Sequence, residues 1–285
     1  MKTKSVPNSW LERDGRRLDC NPYMSGALEA KVLLESMAAR KDKLQALTHG
    51  GISGIFHAGR IKRMWVDSPE YGRPFLSSTD ILQADLSNLP FISKQAVAEN
   101  PRLPLHAGWT LITRSGTVGR MAYARQDMED YACSEHVLRV VPDAAKIPPG
   151  YLYAYLSSKF GVPLVVGGTY GAIIQHIEPE HIAELPVPRL GATFEAKIHC
   201  LVERAAELRS DAAQLLVEAT AELEKLTKLA HLTVPASPMP FDTCAVSSSM
   251  LQARLDGFFH SRFHTEALTA LARIPTKALA NLAVG

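Results

Sequence analysis

At 285 residues the chain has room for about two domains. Hydrophobic residues make up 46% and charged residues 21%, so the chain can bury a core and is not disordered by composition. A net charge of +2 excludes a histone-like polycation, though not a local basic face. The longest uncharged run, 160–177, holds Pro163, four glycines, Gln175 and His176, and is a poor membrane span. The first residues have no apolar stretch, so no signal peptide is expected. Cys20, Cys133, Cys200 and Cys244 stand singly, which supports neither a disulfide framework nor a zinc knuckle. The expected compartment is the reducing cytoplasm.

Residues 1–43 read as a short arm and then a helix. Ser25 caps a run with Leu28, Val32, Leu33, Met37 and Ala38 near helical spacing, and Lys41 and Lys43 stand at its end, where cations favour the helix dipole. From 44 to 190 short apolar runs alternate with Gly, Pro, Ser and Asn clusters. Strands are expected near Met64–Val66, Pro74–Leu76, Leu89–Ile92, Trp109–Thr113, Val118–Ala124, Val137–Val141 and Ile173–Ile177. Tyr151–Phe160 reads as a helix, followed by a glycine-rich passage. Pro179 opens one helical turn, and Pro186-Val187-Pro188 closes the region.

Residues 191–233 read as one long helix. Ile198, Leu201, Ala205, Leu208, Ala212, Leu215, Ala219, Leu223 and Leu226 recur at three- and four-residue steps, a coiled-coil-like seam with a local stutter. Such a helix cannot bury its seam alone, so Ile198, Leu201, Leu208, Leu215, Leu223 and Leu226 are expected to pack against a partner helix. The fold class is therefore α+β: an N-terminal helix, a β-rich domain and a long helix. Residues 234–285 read as a linker and a restart. Arg254-Leu255-Asp256 repeats Arg17-Leu18-Asp19, Glu266-Ala267 repeats Glu29-Ala30, and Leu271 repeats Leu34 at the same offset. If that repeat holds, a second globular unit begins where this chain stops.

Catalytic patterns are thin. Asn21-Pro22-Tyr23 lacks the second proline of an amino-methyltransferase tetrapeptide and reads as a turn. Glu195-Ala196-Lys197 has nuclease-like spacing but reads as surface charge on the long helix. His260 and His264 have no acidic or Cys partner nearby, so no metal site is expected. Ser134-Glu135-His136 names no third member of a triad. No catalytic centre is expected. Charge, however, is uneven. Residues 50–126 carry nine Lys/Arg and five acids, and 127–190 carry four and eight. Arg60, Lys62, Arg63, Arg114 and Arg120 cluster beside glycine turns, either as a solvated basic face or as loop-borne groups for phosphate and guanine.

Several strings together resemble the specificity subunit of type I restriction-modification systems. They are Gly72–Ile81 (GRPFLSSTDI), Thr110–Arg120 (TLITRSGTVGR), Ser134–Val140 (SEHVLRV), Tyr151–Ser158 with Gly161, Gly171–Ile174 and Ile182–Pro188 (IAELPVP). The resemblance covers about 44–190, and the long helix and the restart fit it. It implies a non-catalytic target recognition domain and a spacer helix that sets the gap between the halves of a split DNA target. An adenine methyltransferase partner would carry S-adenosylmethionine, a restriction subunit would be a further partner, and the chain itself would need no cofactor. Double-stranded DNA would meet Arg60, Lys62, Arg63, Arg114, Ser115, Gly116, Thr117 and Arg120, with Tyr170, Gln175 and His176 flanking a second glycine loop and Gln suited to adenine. Trp109 and Phe75 belong to the core instead. This chain has one complete recognition domain, so the second half comes from the same natural chain or from a dimer mate. The arm at Met1–Asp19 is also longer than the family pattern. The competing reading is a helical interaction scaffold without direct DNA contact.

Overall fold

Thr110–Thr113 and Val137–Val140 are buried at all four positions, and these two strands sit side by side at the centre of a sheet. In this computed structural model, residues 3–13, 20–167, 176–227, 245–249, 251, 254–257, 259–275 and 277 are described. The elements in order are α1 (Asn8–Arg13), α2 (Asn21–Met24), α3 (Ala27–Ser36), β1 (Lys41–Lys43), β2 (Ile55–Phe56), β3 (Trp65–Val66), β4 (Gly72–Leu76), β5 (Phe91–Ser93), α4 (Lys94–Glu99), β6 (Thr110–Thr113), β7 (Met121–Tyr123), β8 (Ala132–Cys133), β9 (Val137–Val140), α5 (Pro149–Leu156), α6 (Gly161–Gly167), α7 (Pro179–Ala183), β10 (Pro186–Pro188), α8 (Ala192–Thr227) and α9 (Arg262–Leu271). The class is α+β, a β-rich region followed by a long helix. The chain divides into two compact units, Met1–Ala213 and Gln214–Gly285.

Two four-stranded sheets carry the first unit, in the orders β2-β9-β6-β7 and β3-β5-β4-β8. The first is antiparallel throughout, with Leu111 opposite Arg139 and Ile112 opposite Leu138. Alternation along β6 and β9 sends side chains to two cores. Ile112, Leu138 and Val140 join Leu34, Tyr151, Leu152, Leu156, Val165 and Ile182 under the helices. Leu111 and Val137 join Leu76, Ile81, Leu105, Met128 and Cys133. In the second sheet β4 runs parallel to β8, and Phe75, Ile92, Leu103 and Ala132 form a third cluster.

Arg139 is the exception among these core positions. It is fully buried on β9, and its guanidinium donates to the carbonyls of Ser134 (3.0 Å), Val137 (2.7 Å), Cys133 (2.5 Å) and Leu103 (3.4 Å). Burial pulls its pKa down, and no carboxylate pairs with it among the described residues. It acts as a brace between the β8–β9 turn and the segment at Leu103.

Three expectations are corrected. The N-terminal helix stops at Ser36 because Met37 is extended (φ −71°, ψ 134°), so Lys41 and Lys43 lie beyond the helix, although the Lys41 ammonium still donates to the carbonyl of its C-cap residue Met37. They form β1, paired antiparallel with the Pro-Val-Pro segment, which is itself a strand. Gly161–Gly167 is a helix rather than an open passage. Pro163 lies in its first turn, where a missing N–H costs nothing, and Gly161 lies too close to the backbone of Tyr155 and Leu156 for any Cβ. Finally, Glu195 is buried, not surface charge. Arg189 donates to it from Nε (3.0 Å) and Nη2 (2.7 Å), and the Leu190 N–H adds a third bond (2.8 Å). Burial alone would raise the Glu195 pKa, but Arg189 and these N–H bonds bring it below the ordinary carboxylate range. Arg189 also reaches Asp42 of β1 (3.1 Å), so the start of α8 is tied to the β1–β10 pair.

Further along α8, His199 Nδ1 accepts from the Gly150 N–H (3.1 Å), and a Cβ at Gly150 would strike His199 and Val202. Tyr123 OH donates to Glu203, and its pKa is pushed far up by burial and by that carboxylate. Among the described residues of the second unit, α9 begins at Ser261, whose Oγ accepts from the His264 N–H (3.3 Å). No helix among the described residues is long and apolar enough to cross a membrane.

Candidate nucleic-acid interface

Four segments distant in sequence meet at one end of the strands of the first sheet: 57–63, the β6–β7 loop 114–120, the β8–β9 turn 134–136, and 176–178. Arg114 is the joint between three of them. Its N–H donates to His136 O (2.9 Å), and its carbonyl accepts from Ile177 N (3.1 Å). Its Nε donates to Ile177 O (3.1 Å), and the guanidinium pairs with Glu178. Only 11% of the Arg114 side chain is exposed, so little of it remains for a ligand.

The β6–β7 loop is closed by one hydroxyl. Thr113 Oγ1 donates to Thr117 O (2.5 Å) and accepts from Arg120 N (3.0 Å). Gly116 (φ 77°) and Gly119 (φ 83°) hold left-handed turns that favour glycine. A Cβ at Gly119 would run into Val166 of α6, whereas one at Gly116 would meet nothing. The loop is thus packed at one end and open at its tip, where Gly116 and Thr117 are exposed.

Ser115 Oγ lies 2.6 Å from His136 Nδ1, and Ser115 makes a strand-like bridge to His176. The serine that meets His136 through its ring therefore comes from another loop, not from Ser134. His136 Nε2 stands 3.6 Å from Glu135, but that carboxylate is gripped by Arg63 (3.1 and 2.9 Å). Burial raises the Glu135 pKa, and the Arg63 hydrogen bonds, a backbone N–H and the nearby positive charge together more than reverse this. His57 completes the row, 3.7 Å from Glu178. Burial, then the Arg114 charge, lowers its pKa and keeps the ring neutral near pH 7. The result is a chain of alternating charge and imidazole: Arg63, Glu135, His136, Arg114, Glu178, His57.

The cations expected at this face therefore divide. Arg63 and Arg114 are bound to carboxylates from other segments. Arg60, Lys62 and Arg120 are exposed and make no ion pair among the described residues. His176 is exposed beside the β6–β7 loop, while Tyr170 and Gln175 lie outside the described residues. Glu135, Glu178, His57 and His136 were not anticipated at this site. The adjacent Ser134-Glu135-His136 string was the available hint, but their partners lie dozens of residues away.

The helix residues divide as well. Leu201, Leu208, Leu215, Leu223 and Leu226 are all at least half exposed, whereas Ile198 packs on the helix-covered core. One potential metal group occurs among the described residues: His106, Glu129 and Asp130 bring ligand atoms within 4.8 Å. Both Glu129 oxygens are already used, by His106 Nδ1 (2.6 Å) and the Ala107 N–H (2.7 Å).

No family model matches the chain, and no curated protein does. Solved structures do. One is the S subunit of a type I restriction-modification system from M. genitalium, 12% identical with a TM-score of 0.40, covering 68% of this chain and 44% of that one. A second comes from a study of complex assembly and conformational transition of the type I system, at 16%, TM-score 0.44, and 76% and 54% coverage. A third is the HsdS subunit of Thermoanaerobacter tengcongensis, at 15%, TM-score 0.40, and 76% and 53% coverage. The chain spans about half the length of these structures.

Proposed function

We propose that the chain is a non-catalytic DNA-reading subunit that directs a partner adenine methyltransferase, with a restriction subunit as a further partner, to one half of a split target. The observation that carries this reading is the convergence of four distant segments on one braced face with an open glycine tip. Internal ion pairs fix the loops. That leaves Arg60, Lys62 and Arg120 to hold phosphates, and Ser115, Thr117 and the Gly116 backbone to approach the duplex. Arg63 and Arg114 act as positioning residues, each held by a carboxylate. S-adenosylmethionine belongs to the methyltransferase, and the compartment is the cytoplasm. α8 is the spacer, with its outward leucines as a packing face for another helix.

Selection from a randomised duplex pool by the chain together with its methyltransferase tests this. Enrichment of one short half-site motif supports it. A pool that stays random, together with binding that ignores salt, favours the scaffold reading. That second reading draws on the exposed leucines of α8 and on the neutralised Arg63 and Arg114.

A further inference from the structure

Two arginines near the loop face sit over phenylalanine rings, and each ring is steadied by a tryptophan. Arg63 lies over Phe75 (5.1 Å), and Trp65 meets that ring edge-on (5.2 Å, 90°). Arg102 lies over Phe56 (5.8 Å), and Trp109 meets that ring edge-on (5.8 Å, 81°). The two differ in what else they hold. Arg63 grips Glu135, whereas Arg102 is exposed and makes no ion pair among the described residues.

The segment that carries Arg102 is fastened to the loop face. Asn100 caps the C-terminal end of α4. Its side-chain amide donates to the Ala58 carbonyl (2.7 Å), and its Oδ1 accepts from the Arg102 N–H (3.1 Å). One residue on, the Leu103 carbonyl accepts from the Cys133 N–H (3.0 Å) and from buried Arg139 (3.4 Å). Ala58 lies in the turn that His57 Nδ1 closes by accepting from the Gly59 N–H (3.1 Å), and that turn leads directly to Arg60 and Lys62. Burial and then Arg114 lower the His57 pKa, and the charge of Arg102 adds to this. Residues 100–102 are therefore a fifth segment of the face, clipped to the one that carries two of its open cations.

A guanidinium held over a ring keeps its charge and its N–H donors, and it loses little further freedom when those donors meet a ligand. Its planar fork matches the paired oxygens of a phosphate. Phe56 ends β2, so Arg102 stands at the root of the 57–63 loop. That position suits the outlying phosphates better than base edges inside a groove. We infer that Arg102 is a further contact of this face, a ring-seated fork that takes one backbone phosphate of the duplex. The inference rests on the reading of the face as a DNA-reading surface. It adds the residue, its chemical target and the aromatic seat that presets it.

The salt dependence of binding to a labelled duplex of mixed sequence tests it in the full chain. Arg102→Ala and Arg102→Lys are compared with wild type and with the combined Arg60→Ala, Lys62→Ala and Arg120→Ala variant. The site is exposed, and urea unfolding checks that each variant keeps the fold. Arg102→Ala should flatten the slope of log K against log salt by about 0.9. Arg102→Lys should keep the slope yet bind about two- to fivefold more weakly, because an ammonium retains the charge but loses the fork and its seat. A wild-type slope in Arg102→Ala, alongside a flattened slope in the combined variant, overturns this inference and leaves the DNA reading standing. A wild-type slope in the combined variant as well rejects the DNA reading, and this inference with it. Arg102→Lys binding as tightly as wild type overturns the seated fork. Loss of one position from the half-site motif selected with Arg102→Ala overturns the phosphate assignment in favour of a base.

Discussion

The loop face of the first unit and the leucine stripe of α8 are both open to solvent, and they are built in opposite ways. On the loop face the groups that join the segments have been answered from within, Arg63 by Glu135, Arg114 by Glu178, and the turn carbonyls by buried Arg139, while Arg60, Lys62 and Arg120 stay open. The stripe has nothing of the kind. Leu201 is 64% exposed and Leu226 73%. Rigidity therefore belongs to the face that must hold side chains in fixed positions, while incompleteness belongs to the helix that awaits another surface.

That contrast can be broken most severely at Arg139. Changing it to Met keeps the bulk but strands the carbonyls of Cys133, Val137, Ser134 and Leu103. We expect a loss of about 3–4 kcal/mol in urea unfolding. A loss under about 1 kcal/mol would deny that the guanidinium braces the turn. Glu195→Ala comes next, at about 2 kcal/mol. Arg189 loses its buried partner but keeps Asp42 and some water, which discounts the cost of breaking a wholly buried pair. On the stripe, Leu208→Gln and Leu215→Gln should each change the unfolding energy of the isolated chain by less than about 0.5 kcal/mol, because neither side chain is buried in it. A larger loss would mean that the stripe is already covered.

The smallest effect concerns pH. His57 has a native pKa below its ordinary 6.5, so the unfolded chain binds its proton first. Stability from this group is whole above about pH 6.5 and falls with pH down to the depressed native value. Thermal unfolding of wild type should weaken more between those limits than that of His57→Gln. Parallel curves would remove the titration of His57 from the account.

Sequence reading went furthest where local pattern and tertiary environment agree. β6 and β9 show as apolar runs because both faces are buried, and α8 shows as an uninterrupted helical period with no proline. β1 was hidden because Lys41-Asp42-Lys43 has no apolar pattern, and only pairing with Pro186–Pro188 makes it a strand. α6 was masked by Pro163 and its glycines. At the candidate site, the basic loops could be located, but not the fate of their charges. Arg63 and Arg114 find their carboxylates 72 and 64 residues away, and no local spacing reports a pairing of that range.

The most direct measurement of the central claim is the salt dependence of duplex binding, followed by fluorescence anisotropy for the wild type and for the combined Arg60→Ala, Lys62→Ala and Arg120→Ala variant. Each lost phosphate contact should flatten the slope of log K against log salt by about 0.9, so the variant is predicted to lose nearly three units of slope. An unchanged slope would contradict the assignment of this face to DNA.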